Sequence, residues 1–222
     1  MNERTPYILV RSDRRTLSLA VEKNGDLVAR APRRMPKADI EAFIAKKSRW
    51  ILQKQALQRA RNASVPSLGD GAILPFLGGS LTLRLADVPV AVEDRGTLLL
   101  PRQSPPHQAL RIWLLNQAKA LLQPLAARQG EAMGLQPNAF RFSVPRTRWG
   151  SMNSSGTMML NAALLLCPPS LAEYVIVHEL AHLRHPNHSS AFWALVERWA
   201  PDYREKRHWL KQHQGVLRLL EG

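Results

Sequence analysis

A chain of 222 residues with 45% hydrophobic content is long enough for one medium domain or two small ones, and apolar enough for a real core, which excludes global disorder. No apolar run approaches a membrane span, the start MNERTPYILVRSDRR lacks a signal-peptide stretch, and the single cysteine, Cys167, cannot form an internal disulfide, so a reducing, cytoplasmic setting without membrane contact is expected. The net charge of +14 is uneven: residues 1–62 hold 15 Lys and Arg against 6 Asp and Glu, which suits a solvated basic face or contact with nucleic acid, although no aromatic residues alternate with the basic ones to form a base-stacking platform.

In chain order, Tyr7–Arg11, Thr16–Val21 and Asp26–Ala31 carry strand-type alternation, with Asn24-Gly25 as a turn. From Pro36, the apolar residues Ile40, Phe43, Ile44, Trp50 and Ile51 recur at helical spacing, predicting one helix to about Arg61. Residues 62–71 read as a linker. Short strands are expected at Ile73–Phe76, Leu81–Leu85, Val88–Val92 and Leu98–Leu100, divided by Gly78-Gly79, Asp94 and Gly96. Ser104-Pro105-Pro106 opens a long helix buried along Leu110, Trp113, Leu114, Ala118, Leu121 and Leu125, which Pro124 should kink or divide. Phe140–Val144, Arg148–Met152 and Thr157–Leu160 resemble strands, and Ser154-Ser155-Gly156 a hairpin turn.

The next helix holds the most informative residues. Pro168-Pro169 precede it, Ser170 and Glu173 have capping-box spacing, and Pro186 stops it. Its apolar residues surround nearly the whole circumference, so the helix should be buried. Within it lies His178-Glu179-Leu180-Ala181-His182, followed by His188. Histidines four apart share one helix face and can reach one metal ion, and the glutamate between them can hold a water on that ion. This composition gives HExxH by chance roughly 0.01 times per chain. Four of the seven histidines fall between positions 178 and 188, a crowding without a packing rationale. Burying Glu179 without a partner would be costly, and a metal with its water removes that objection. A further helix should run from Ser189 to Trp199, and a last one from Asp202, with Glu205 at capping-box spacing, to about His213.

His178 to His188, with Ser189, Phe192-Trp193 and the upstream Arg148-Trp149-Gly150-Ser151, resembles the YgjP-like metallopeptidases, relatives of the SprT and WLM groups of zincins. Pro201-Asp202-Tyr203, Trp209-Leu210, the basic start, Trp50-Ile51 and Leu77-Gly78 fit the same pattern. The resemblance implies an α+β, zincin-like catalytic domain with a small antiparallel sheet and a β-rich N-terminal part. It also implies His178, His182 and His188 as ligands and Glu179 as catalytic acid/base. We place the expected division at residues 1–103 and 104–222. Family members often have cysteine where this chain has Met152, and metzincins have glycine where it has His185, so neither a metal role for position 152 nor metzincin geometry is carried over.

The expected function is peptide-bond hydrolysis with one zinc ion per chain. Three neutral imidazoles leave an open coordination position for water, whose proton Glu179 would accept and pass to the leaving amine. Glu197 or Glu205 are the alternatives to His188 as third ligand, with solvent exposure or helix salt bridges as their ordinary roles. His185 is expected at the rim of the site. Tyr203 is a candidate donor to the oxyanion, against a plain packing role. Arg148 is a candidate for a substrate carboxylate, against a structural salt bridge. By the zincin architecture that the resemblance implies, Thr157–Leu160 could offer its edge to an extended peptide. Cys167 should pack as a small hydrophobe. Two other functions compete: a nucleic-acid-associated protein that docks through residues 1–62, with or without proteolysis of bound proteins, and a non-catalytic, metal-stabilised interaction module.

Overall fold

The computed structural model describes residues 6–22, 24–63 and 68–220. Residues 1–5 and 23 of the basic segment and 64–67 of the expected linker lie outside the described residues. The chain divides into two compact units, Met1–Val65 and Pro66–Gly222.

In the first unit, β1 (Ile8–Ser12), β2 (Ser18–Val21) and β3 (Leu27–Pro32) form a sheet in the order β1-β3-β2. β2 and β3 are an antiparallel hairpin, whereas β1 runs parallel to β3. The hairpin closes at Asn24-Gly25: Gly25 takes a φ of 91°, and Asn24 Oδ1 accepts the Asp26 N–H. One face of β3 presents Leu27, Ala29 and Ala31 to Ile40, Ile44 and Ile51. The expected single helix is two, α1 (Lys37–Lys46) and α2 (Ser48–Ala63), with the break at Lys47. Ile51 is buried on the same face as Ile40 and Ile44, whereas Trp50, off that face, is 38% exposed. Part of the positive charge is balanced locally, by Arg30–Glu22, Arg33–Asp13 and Lys37–Glu41 pairs.

The second unit begins with a sheet of order β4-β5-β7-β6, made of β4 (Ile73–Phe76), β5 (Gly79–Ala86), β6 (Val92–Asp94) and β7 (Thr97–Pro101). The turns Leu77-Gly78 and Arg95-Gly96 both have positive φ at two successive residues, the backbone twist that tight hairpins favour. The turn at Arg95-Gly96 fixes the register of β6 and places it at Val92–Asp94, later than the expected Val88–Val92, where Pro89 lacks a ladder donor. Leu77 N–H donates to the carbonyl of Leu165, and Phe76 packs on Trp113 at 5.0 Å, so this sheet is part of the second unit. The boundary between the compact units therefore falls near residue 65, not between 103 and 104.

α3 (Pro106–Met133) continues through Pro124 without division. Its buried stripe is Leu110, Leu114, Ala118, Leu122, Ala126 and Gly130, a strict spacing of four that replaces the expected Leu121 and Leu125. Pro124 and Ala120, whose carbonyl loses its helical donor, are both exposed, so solvent can satisfy that carbonyl. Next come β8 (Ala139–Ser143), β9 (Gly150–Met152) and β10 (Thr157–Asn161), in the order β8-β10-β9. β9 is antiparallel to β10, and β8 parallel, so the sheet is mixed. β10 is thus the central strand, and the free edge expected of Thr157–Leu160 belongs to β9 instead, because β10 inserts between the two strands that precede it.

Asn161 ends β10 and is completely buried. Its amide donates to the carbonyls of Pro145 and Arg148, and its oxygen accepts the N–H of Ala163, starting a buried 3-10 turn over Ala162–Leu166. Cys167 follows, buried, with its thiol pushed up to about 12 by that burial, which fits a packing role. Asn161→Ala leaves two carbonyls and one N–H without partners, and should lower stability by about 2–4 kcal/mol, read as a fall in the urea midpoint.

Candidate metal centre

α4 (Pro169–Ala181) carries the first histidines. It starts at Pro169, whose fixed φ suits the first turn; Ser170 lies inside the helix, and no side chain caps it, so the expected Ser170–Glu173 box does not form. Leu171, Val175, Ile176, Val177 and Leu180 are buried around the circumference, together with Glu179. His182 is the C-cap residue, and the chain turns through Pro186 to reach His188. Ser189 then caps α5 (Ser190–Trp199) by accepting the N–H of Phe192.

One ring nitrogen from each of His178, His182 and His188 lies within 4.8 Å of the others. Among the described residues this is the only such group of His, Cys, Asp or Glu. Nε2 of His178 and Nε2 of His188 are 3.2 Å apart. Two nitrogens bound at zinc-like distances to one tetrahedral ion would be about 3.3–3.4 Å apart, so the present spacing fits a shared cation. His182 Nδ1 is 3.2 Å from the carbonyl oxygen of His185. A carbonyl only accepts, so Nδ1 carries the hydrogen, and Nε2 keeps a lone pair for an ion. The backbone of His185, rather than its ring, therefore serves the site. His178 is held neutral, its pKa lowered to about 3 by burial and then by His182, His188 and Arg207. Its Nδ1 is buried with no hydrogen-bond partner among the described residues.

All three imidazoles rest on Phe192, which is completely buried, with ring centroids 5.0, 4.6 and 4.8 Å from His178, His182 and His188. Trp193 stacks on His188 at 5.5 Å, and Tyr203 stacks on Trp193 at 5.1 Å. The sequence pattern contains Phe192 and Trp193 but does not reveal that one ring supports the whole triad.

Glu179 is 6% exposed. Burial pushes its carboxyl up to about 8, while a hydrogen bond from the Met152 N–H and the charge of Arg148 act in the opposite direction. Gly150 makes this approach of helix and strand possible: a Cβ there would lie 2.7 Å from Glu179 Oε1 and 2.9 Å from Val175 Cγ1. That contact explains the glycine after Trp149. Asn153 N–H bonds Thr157, and Asn161 N–H bonds the Trp149 carbonyl, so Trp149 and Asn153 face β10. The intervening Gly150 and Met152 direct their backbone groups to the free edge, beside the histidines.

The cleft is lined on one side by Trp149, Tyr174, Trp193 and Arg207, and on the other by Ser151, Asn153 and Ser155. Tyr174, Arg207 and Lys211 were not anticipated from the sequence; an aromatic one turn before a ligand and cations on a later helix carry no local signal. Tyr203 is buried and absent from the lining, and Arg148 is exposed and also absent from it. Glu197 pairs with Arg204 at 3.2 Å, and Glu205 is exposed, so neither joins the histidine group.

Two outcomes follow from the burial of Glu179. Gly150→Ala should displace the carboxylate, keep metal affinity within about threefold, and reduce any hydrolytic rate by at least about 100-fold; metal titration beside a rate assay checks both. In the metal-free protein, the proton on Glu179 is bound more tightly folded than unfolded. Its contribution is complete below pH 4.5 and lost as the pH rises through about 8. Glu179→Gln should therefore gain a few kcal/mol over wild type above that pH and almost nothing near the unfolded carboxyl value, read from urea midpoints at the two pH values.

The model of the family described as YgjP-like, metallopeptidase domain, matches residues 15–213. No curated protein matches the chain. Two solved structures are similar over part of it. The metallopeptidase zymogen abylysin of Pyrococcus abyssi shares 24% identity at a TM-score of 0.36, covering 42% of this chain and 96% of its own. The metallopeptidase zymogen jannalysin of Methanocaldococcus jannaschii shares 16% at a TM-score of 0.38, covering 41% and 95%. Because the family match takes in most of both compact units and all three clustered histidines, the chain belongs to the YgjP-like metallopeptidase domain family, whose chemistry is metal-dependent hydrolysis.

Proposed function

We propose that the chain is a zinc-dependent peptidase in which His178, His182 and His188 hold the ion and Glu179 is the general base. The observation that carries this reading is the convergence of three imidazole nitrogens within 4.8 Å beside a buried carboxylate. Imidazole donors favour zinc among the available divalent ions. Bound there, zinc would lower the pKa of a water to roughly 7 and polarise the substrate carbonyl.

The residues of the chain supply the rest. Glu179 takes the proton of the attacking water and delivers it to the departing amine. Its bond from the Met152 N–H fixes the carboxylate at the free edge of β9. With the Met152 N–H held by Glu179, the outward N–H and carbonyl of Gly150 and the carbonyl of Met152 pair with an extended peptide laid along that edge. The hydrogen bond from His182 Nδ1 to His185 holds that ring in one tautomer and one orientation. Tyr174 lines the cleft, and burial pushes its phenol up to about 12, so it stays a proton donor at neutral pH. It is better supported as an oxyanion donor than Tyr203, which is buried against Trp193 and is not among the lining residues. Arg148 acts on the charge of Glu179 rather than on a substrate carboxylate in this reading.

Elemental analysis of the purified chain should find one zinc ion, and His188→Ala should lower its affinity by at least about tenfold. Glu179→Gln should retain the ion while kcat/KM for a quenched-fluorescent peptide falls by at least about 100-fold. Unchanged turnover in the glutamine variant would sink the mechanism.

A further inference from the structure

The two halves of the cleft differ in chemistry. Beyond Met152 the lining is neutral, with Asn138, Ser151, Asn153 and Ser155. Beyond Gly150 it forms a cavity of about 460 Å³ with the aromatic walls Trp149, Tyr174 and Trp193 and the cations Arg207 and Lys211. Glu179 is the sole carboxylate in that lining.

Both cations belong to α6 (Tyr203–Gln212). The same helix carries Arg204, which pairs with Glu197 at 3.2 Å, and Lys206, which pairs with Asp202 at 2.8 Å. The Lys206 pair also takes Asp202 away from the expected cap. Arg207 and Lys211, the cations that line the cavity, have no ion-pair partner among the described residues. They are four residues apart, the spacing at which like charges on a helix repel. The guanidinium of Arg207 lies over Trp193, 4.9 Å from the ring centroid, and Trp193 in turn stacks on His188. Stacking fixes the plane of a guanidinium and leaves its N–H donors free for an anion. Two unpaired cations, one of them oriented on an aromatic wall beside a metal ligand, disfavour the isolated helix and favour a negatively charged visitor.

The direction of the strand edge says which part of a peptide arrives there. β9 runs from Gly150, at the cationic half, to Met152, at the neutral half. Antiparallel pairing is the commoner mode, and a peptide added that way runs from Met152 toward Gly150. Its residues after the scissile bond then enter the cavity of Arg207 and Lys211. We propose that this cavity is a carboxylate-recognition subsite, and that the preferred substrates bear a carboxylate within one or two residues after the cleaved bond. The group is an Asp or Glu side chain or the C-terminal carboxylate of the peptide. This inference rests on the peptidase reading above.

The test measures binding apart from turnover. Full-length Glu179→Gln protein loaded with zinc is titrated calorimetrically with blocked tetrapeptides that carry glutamate, glutamine or lysine at the third position, and with an all-alanine peptide ending in a free carboxylate or an amide. A carboxylate should bind about tenfold more tightly than its neutral counterpart, as charge-assisted contacts to a guanidinium do. The preference should shrink at high salt and be lost in Arg207→Gln combined with Lys211→Gln, both at exposed positions where folding is retained. Gain in the glutamate pair or in the free-carboxylate pair identifies the source, and gain in neither overturns the subsite. An undiminished preference in the double variant overturns it as well. If the preference is found but wild-type zinc protein cleaves none of these peptides, the subsite stands and the peptidase reading falls.

Discussion

The arrangement depends on a carboxylate that has been taken out of water. Glu179 sits on a helix with apolar residues on every side, where an ionised group is disfavoured. The fold answers this with one backbone donor from Met152 and with the missing side chain of Gly150, which lets the helix approach the strand. That approach brings the strand edge, the carboxylate and the histidines into one cleft. A larger residue at position 150 would separate them, so a single glycine joins the packing of the core to the composition of the site.

The histidine cluster was legible in the sequence, and its supports were not. Histidines at 178 and 182 must share a helix face, and His188 lies just past the turn imposed by Pro186, so the triad follows from local geometry. The rings that hold it do not. Phe192 reads as an ordinary core residue, and nothing local says that three imidazoles meet on it. For Tyr203 the sequence left an oxyanion donor and a packing role both open, and the ring is buried in a stack on Trp193. Two other features were misplaced. Apolar periodicity runs across Lys47 although the helix breaks there, and the edge that zincin architecture lent to Thr157–Leu160 belongs by strand order to β9. Strand order is a long-range property, and alternation within one strand contains no trace of it.

Charge shows the same limit of scale. The excess of basic residues is greatest in the first 62 positions, yet several of those residues have acidic partners. The two cations that line the cleft are on α6, where four of ten residues are Lys or Arg and two of those four, Arg204 and Lys206, have acidic partners.

Trp149 joins regions far apart in the chain. Its carbonyl accepts from Asn161 on β10, and its indole N–H donates to the carbonyl of Leu210 on α6, 61 positions away in sequence. Fraying of the edge strand would strip a buried donor from the helix, and fraying of the helix would orphan the indole. These two segments therefore form one cooperative opening unit, and the rim inherits the local stability of a packed helix in place of the looseness usual at a sheet margin.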